Sequence, residues 1–305
     1  MTRFILRRLA VGILVALTVV VLSFMLTRLS GDLAISIAGP QATQADIEIV
    51  RKAYGLDKPL YVQFGNWIGR AAVGDFGESY FFHDKVSNLI ARRMPITVTL
   101  GLVGLALALL MSIPLGILAA VREGTWIDRS VTMFTMIGQA MPSFWLGLIL
   151  MIVFGLHLGW LPISGTGTWQ HFVMPGVVLA FTAVPALTRL TRSGMMEALS
   201  SDYIRTARAK GLLRSSIIFK HALRNAAIPV VSIAAVQLGF MLGGSIVTET
   251  VFALHGVGFL AWESIGKNDF PVVQAVVLIL AVIYIGLTLA ADFLNAVLDP
   301  RLRSA

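Results

Sequence analysis

The chain has 305 residues, of which 57% are hydrophobic and only 13% charged, where soluble domains carry about 25% charged residues. This places it in the membrane class; its net charge of +8 is spread over segments between apolar stretches, as for charge that orients loops, and forms no single nucleic-acid-binding stripe. The absence of cysteine excludes disulfides, thiolate catalysis, iron–sulfur clusters and Cys-based zinc sites.

The first apolar stretch, about Leu9 to Leu26, follows the basic opening "MTRFILRR". It is longer than an ordinary signal-peptide core, and "SFMLTRLSGD" offers no clear small-x-small cleavage site, so it is read as an uncleaved transmembrane anchor. A segment of mixed charge follows, from about Ser30 to Pro95. Ile47, Val50, Ala53 and Tyr54 have helical spacing, as do Tyr61, Phe64, Trp67 and Ile68, with the turn "GLDKPL" between them. Two short helices forming a small external cap are expected, then a third near "DKVSNLIARRM".

Five further spans are long enough to cross a hydrocarbon core of about 30 Å. They run from about Val98 to Val121, Val131 to Leu156, Phe172 to Leu190, Ala226 to Val251 and Val272 to Val297. Internal Pro114, Pro142, Pro175 and Pro185 are compatible with them, because neighbouring helices re-satisfy freed backbone groups. The expected fold is therefore an all-α polytopic membrane protein with six transmembrane helices. Residues 1–29 form the N-terminus and first helix, 30–95 the external helical segment, 96–300 the core with helices two to six, and 301–305 the tail. Lys and Arg concentrate at the N-terminus (Arg3, Arg7, Arg8), after span two (Arg122, Arg129), between spans four and five, and in the tail (Arg301, Arg303). The opposite short loops hold almost none, so both termini are expected in the cytoplasm.

Several chemistries lack their signatures. There is no G-x-x-x-x-G-K-[ST] for ATP, no H-E-x-x-H and no G-x-S-x-G. The histidines 83, 157, 171, 221 and 255 are scattered, and Gly256-Val257-Gly258 follows a membrane span where a phosphate loop follows a strand. Asp292 in span six, Glu249 near the outer end of span five and Gln237 near its middle are polar groups within the apolar spans. None makes a convincing midplane carboxylate for a secondary transporter.

The most informative stretch is "SSDYIRTARAKGLLRSSIIFKHALRNAAIPVV", Ser201 to Val231. Ser201 or Asp202 is suited to cap a helix, "YIRTARAK" forms one, and Gly211 ends it with φ > 0. A second helix starts at "SSIIFKHALRNA" and runs into span five. Tyr203, Ala207 and Lys210 are expected on one face, with small Ala207, Ala209 and Gly211 admitting a partner surface. Fixing topology needs two positive charges; eight between Arg189 and Arg224, on a helix–glycine–helix pattern, point to protein docking.

Here the sequence resembles the permeases of binding-protein-dependent ABC importers, in particular the dipeptide/oligopeptide subfamily. Arg205-Thr206-Ala207 stands where the superfamily has E-A-A, Gly211 at its glycine, and His221-Ala222-Leu223-Arg224 at I-x-L-P; the peptide subfamily shares these departures. "RFILRRL", "GLDKPLYVQFGNWI", "GDFGES", "MPSFWLGL", "GWLPISG", "GGSIVTETVFALHGVGFL", "DFPVVQ" and "DPRLR" extend the resemblance along nearly the whole chain. "LSGDLA" lacks both prolines of the family's Pro-Gly-Asp-Pro, and Leu254-His255-Gly256-Val257-Gly258 replaces W-P-G-x-G.

The resemblance implies an inner-membrane subunit that is not itself an enzyme and holds no cofactor, ATP and Mg being bound by two partner ATPase subunits. Further implied partners are a second homologous permease subunit, giving a heterodimer, and a periplasmic solute-binding protein. A coupling loop, residues 193–228, would meet the ATPase through Tyr203, Arg205, Thr206, Ala207, Lys210, Gly211 and Leu212. The polar or kinked positions Pro142, Ser143, Gln237, Ser245 and Glu249 are candidates for the pathway, and Gly256, Gly258 and Trp262 for the outer gate or binding-protein docking. Dipeptides or oligopeptides are the expected cargo. Nickel chelates, glutathione and opines share the architecture, and a secondary transporter or intramembrane enzyme is the reading from another class.

Overall fold

A computed structural model describes residues 2–29, 32–39 and 41–298. Among the described residues the regular structure is helical, apart from one isolated bridge between Glu78 and Lys85. Among the described residues five helical segments are long and apolar enough to span a membrane, and a sixth is reached if one helix pair, bent by 101°, counts as a single span.

The bundle is organised around α5 (Val86–Val121) and α8 (Val173–Ser200). The 36 residues of α5 correspond to about 54 Å of helix, more than a bilayer core requires. Its N-terminal turns therefore belong to the segment of residues 30–95. The short helix expected at "DKVSNLIARRM" is the start of α5, and the boundary expected at 95–96 falls inside an unbroken helix that passes through Pro95.

Small residues explain why α5 and α8 lie so close. Gly101, Gly104, Ala108, Ser112 and Gly116 recur along one buried face of α5. A Cβ built on Gly104 would lie 3.0 Å from Leu179 Cβ; one on Gly116 would lie 2.6 Å from Thr191 Cβ and 3.0 Å from the Thr188 carbonyl oxygen. Gly176 does the same from the α8 side, where a Cβ would lie 2.7 Å from Val103 Cγ1. Helices in lipid gain no hydrophobic drive toward each other, so such backbone approach and the dispersion contacts it permits hold the pair.

Around this spine, α11 (Leu223–Gly244) packs on α8 and α5, and α14 (Phe270–Leu298) packs on α11. The first helix, α1 (Thr2–Leu29), lies at the periphery against α14, with its apolar side chains largely exposed. Asp292 of α14 pairs with Arg8 of α1 at 3.2 Å, an interhelical contact near one end of the bundle.

The third expected span differs. α6 (Trp126–Ala140) stops at Met141-Pro142, and α7 (Ser143–Leu150), continued by π-helical turns through His157, leaves at 101° to it. Proline has no backbone N–H and restricts the preceding residue to extended geometry; Met141 accordingly has ψ 130°. The polypeptide turns where a continuous helix was expected.

The segment expected to be external contains the two expected helices, α3 (Gln44–Ala53) and α4 (Leu60–Ala72), and an unexpected short one before them, α2 (Leu33–Ala38). Within "LSGDLA", Ser30 and Gly31 lie outside the described residues; the Asp32 carboxylate accepts the Ala34 N–H and caps α2. Thr43 and Asp46 form a reciprocal capping box at α3, and the Thr43 hydroxyl and N–H hold the Asp46 carboxyl below the usual range. Phe64 and Trp67 of α4 close on Phe24 at the end of α1, with ring centroids 5.3 and 6.0 Å away. "DPRLR" and the tail 301–305 lie outside the described residues.

The spine makes a measurable difference between glycines. Gly116→Ala should lower the melting temperature of the purified chain, as overpacking of a tight core costs roughly 1–3 kcal/mol. Gly286→Ala, with nothing within 4 Å of the added methyl, should leave it unchanged or raise it. Thermal unfolding of both variants in one detergent makes the comparison.

Candidate functional site

The basic loop forms the expected helix–glycine–helix at one end of the spine. α9 (Asp202–Ala209) is followed by Lys210 and Gly211, then by α10 (Arg214–Ser216), which runs through π-helical turns at Ile217–Ala222 into α11. Gly211 has φ +72°, the left-handed conformation that glycine adopts at no cost. Its N–H donates to the Arg208 carbonyl at 3.0 Å and the Leu212 N–H to the Ala207 carbonyl at 3.3 Å, the two bonds of a Schellman turn. At the other end Ser201 occupies the cap position, but its hydroxyl donates back to the Ala198 carbonyl and makes no capping bond.

The loop is seated, not dangling. Ile204 and Ala207 of α9 are buried with Ile217, Ala222 and Ala226 against Ile117, Ala120, Met195 and Ala198, the last turns of α5 and α8. Asn225 Nδ2 donates to the Tyr203 hydroxyl at 2.8 Å and ties α9 to α11. Tyr203, Arg205, Thr206, Lys210, Gly211 and Leu212 remain exposed, joined by Leu213, which is 76% exposed. Ala207 is the correction among the expected loop residues: it faces inward and seats the helix, where a partner-facing position was expected.

Behind the loop lies an ion pair that the charge count alone did not reveal. Asp128 of α6 accepts two bonds from Arg192 of α8, at 2.7 and 2.8 Å, and one from the Gly124 N–H at 3.0 Å. In the sequence Arg192 counted among the topogenic and docking charges, with no acidic partner assigned to it. The signal available was Asp128 itself, an acid among the basic residues that follow span two.

The opposite end of the bundle carries two buried carboxylate knots. Glu249 of α12 (Ile246–Val251) has no exposed surface. It accepts from the Thr97 hydroxyl at 2.7 Å, the Ser245 hydroxyl at 2.9 Å and the Phe259 N–H at 2.8 Å. Thr97 of α5 also accepts the N–H of Val257, the first residue of α13 (Val257–Gly266), at 2.8 Å. Three helices are thus joined at one carboxylate. A Cβ on Gly256 would lie 2.5 Å from both Glu249 Oε2 and Thr97 Oγ1, and one on Gly258 would lie 2.9 Å from Ile246 Cα. Glycines here let the backbone wrap the carboxylate of its own chain.

The second knot is Asp269, also fully buried, which accepts from the Ser79 hydroxyl and from the Tyr80 N–H at 3.1 Å. The Ser79 oxygen takes the Phe82 N–H at 2.8 Å. These bonds clamp the turn after α4 onto the start of α14. The residues stand inside "GDFGES" and "DFPVVQ", but nothing in either stretch shows that they meet.

Several expected site residues change meaning. Ser245 and Glu249, expected along a pathway, are inside the first knot and present no surface to one. Gly256 and Gly258 are buried beside them and offer no docking face, whereas Trp262 is exposed. Pro142 and Ser143 sit at the 101° break, and Gln237 is half-buried on α11. Among the described residues no group of three His, Cys, Asp or Glu side chains is placed to hold a metal.

A polytopic helical bundle with a basic hairpin seated on its central helices is the architecture of a transporter permease. The chain belongs to the family described as binding-protein-dependent transport system inner membrane component, which it matches over residues 112–304, with the matching N-terminal family over 1–101. It is 41% identical over 314 residues to the oligopeptide transport system permease protein AppB of Bacillus subtilis (strain 168), covering 99% of each chain. It is 41% identical over 305 residues to the glutathione transport system permease protein GsiC of Escherichia coli (strain K12), again with 99% of each covered. Inward-facing MetNI, a methionine ABC transporter, superposes with a TM-score of 0.58 at 21% identity, over 69% of this chain and 96% of that one, and shares the fold.

The Glu249 knot predicts an asymmetry. Glu249→Ala removes the acceptor of the Thr97 hydroxyl and of the Phe259 N–H at a fully buried site, leaving Ser245 only its bond to the Leu242 carbonyl, and should destabilise the chain by roughly 3 kcal/mol or more. Asp202→Ala, at a carboxylate 93% exposed, should change stability by less than about 0.5 kcal/mol. Chemical denaturation in lipid nanodiscs separates the two.

Proposed function

We propose that this permease subunit imports dipeptides or oligopeptides, handed over by a periplasmic binding protein, and that the α9–Gly211–α10 hairpin is where a separate ATPase drives it. In this reading both termini and the hairpin face the cytoplasm of a bacterial inner membrane, ATP and Mg are held by two partner subunits, and a second, homologous permease completes the passage.

The observation that carries the reading is the division of the hairpin into two faces. Ile204, Ala207 and Ile217 fix it to the ends of α5 and α8. Tyr203, Arg205, Thr206, Lys210, Leu212 and Leu213 are exposed on the other side. A push on the free face therefore reaches the two helices at the centre of the bundle with little loss in side-chain rearrangement. That is the physical requirement for turning the closure of one protein into the rigid-body movement of another. The Schellman turn at Gly211 sets the angle between the two halves of the free face.

Peptide cargo is supported by the near full-length similarity to an oligopeptide permease. The comparable similarity to glutathione permeases favours a second reading, import of that modified tripeptide. Both cargoes carry a free ammonium and free carboxylates, so competition in one uptake assay ranks them.

Gly211→Val tests the coupling. Nothing lies within 4 Å of a Cβ at this position, so the change acts through backbone conformation and not through a clash. A β-branched residue at φ +72° costs roughly 1–2 kcal/mol, and relieving that strain re-aims Leu212 and Leu213. The variant should insert and assemble, yet lose uptake and binding-protein-stimulated ATP hydrolysis by at least about tenfold, with Gly211→Asn intermediate because Asn tolerates this conformation. Full uptake by Gly211→Val in reconstituted vesicles would remove the hairpin from the mechanism.

A further inference from the structure

At the end of the bundle opposite the basic hairpin, a cavity of about 140 Å³ opens between the last turn of α1, α4, the turn around residues 76–80 and the start of α14. Two guanidinium groups, Arg28 and Arg70, stand in its wall. The other arginines of residues 30–95 are paired: Arg51 with Asp32 at 2.6 Å, Arg92 with Asp84 at 3.5 Å and Arg93 with Glu263 at 3.7 Å. Arg28 and Arg70 have no carboxylate within ion-pair distance among the described residues. Arg28 is held by its neighbours, its guanidinium lying 4.8 Å from the centre of the Phe24 ring, and its Nε is buried without an acceptor.

The remaining wall is equally specific. Gln63 spends its amide N–H groups on the carbonyls of Leu56 and Lys58, which leaves its Oε1 buried and without a donor. Tyr80 is pushed up to about 12 by burial, so its hydroxyl stays a protonated donor at any physiological pH. Trp67 and the exposed carboxylate of Glu78 complete the frame. The cavity thus offers positive charge and donors for an oxyanion, together with one neutral acceptor and one carboxylate for a donor-bearing group.

Depth selects the ligand. The apolar run of α1 reaches Leu26, and Arg28 is the first charged residue after it, less than one helical turn beyond the apolar run, at head-group level. Trp and Tyr around it are the side chains that favour this interface. We propose that the cavity binds the head group of one membrane phospholipid: Arg28 and Arg70 hold the phosphate, and Gln63 Oε1 and Glu78 receive the N–H or O–H donors of an ethanolamine or glycerol head. Guanidinium forks match phosphate oxygens in pairs, which makes the arginines suited to this task. A choline head, which has no N–H or O–H, leaves Gln63 Oε1 unpaired. The bound lipid would fasten α1 to α4 and α14, joining the peripheral first helix to the body of the bundle.

The test is native mass spectrometry of the full chain released from nanodiscs. In phosphatidylethanolamine discs one lipid should stay bound to the protein. Retention should fall by about tenfold in Arg28→Gln, as expected for one charge-assisted hydrogen bond, and recover in part in Arg28→Lys. Phosphatidylcholine should be retained more weakly, and a glycosyl diacylglycerol, which has no phosphate, not at all. Inorganic phosphate added to glycosyl diacylglycerol discs distinguishes the sources: the lipid assignment expects no saturable binding, and binding lost in Arg28→Gln would overturn it in favour of a soluble phosphate. Equal retention of all three lipids, or retention unchanged in both Arg28→Gln and Arg70→Gln, would overturn the site altogether.

Discussion

The close approach of α5 to α8 is the constraint on which the rest depends. Gly104, Gly116 and Gly176 remove the side chains that would otherwise hold two backbones apart, and the space is taken by Leu179, Thr191 and Val103 from the facing helix. In lipid, where burial of apolar area between helices gains little, dispersion and shape must supply the binding. The result is a stiff pair running the full depth of the bundle. One end of it carries the basic hairpin; the other carries the α3–α4 segment and the two carboxylate knots.

The buried acids serve this mechanical layout. Glu249 gathers α5, α12 and α13 at one point, and Asp269 clamps the turn after α4 onto α14. Asp128 joins α6 to α8 near the hairpin. Each lies near a helix end and is met by several donors, so each holds neighbouring elements in register. Between these knots, α6 and α7 break at Pro142 with no comparable polar fastening, and α1 is attached at the edge through the Arg8–Asp292 pair and the aromatic cluster at Phe24.

Most of the fold was legible because its signals are local. Long apolar runs announce spans, "GLDKPL" announces the turn between α3 and α4, and a glycine inside a basic amphipathic stretch announces the hairpin. What escaped was non-local. Glu249 sits at the edge of a span and looked like a pathway residue, because nothing in the sequence shows that Thr97, 152 positions away, reaches it. Asp269 and Ser79 meet across 190 positions. Ala207 was assigned to the wrong face because helical spacing gives the relation among residues of one short helix but not which side the body of the protein covers. Pro142 was seen and judged compatible with a continuous span; the structure shows that this proline, unlike Pro95 and Pro114 inside α5, coincides with a full change of direction.

The central claim is that the hairpin and the spine move as one body. The chain has no native cysteine, so spin labels are placed cleanly by Leu213→Cys at the hairpin tip and Leu110→Cys on the exposed side of α5. In the assembled transporter, pulsed electron-spin distance measurement between these labels should give one narrow distribution that is the same without nucleotide and with ATP trapped. A distribution that broadens or shifts on nucleotide binding would show the hairpin hinging on its seat, and would contradict the account.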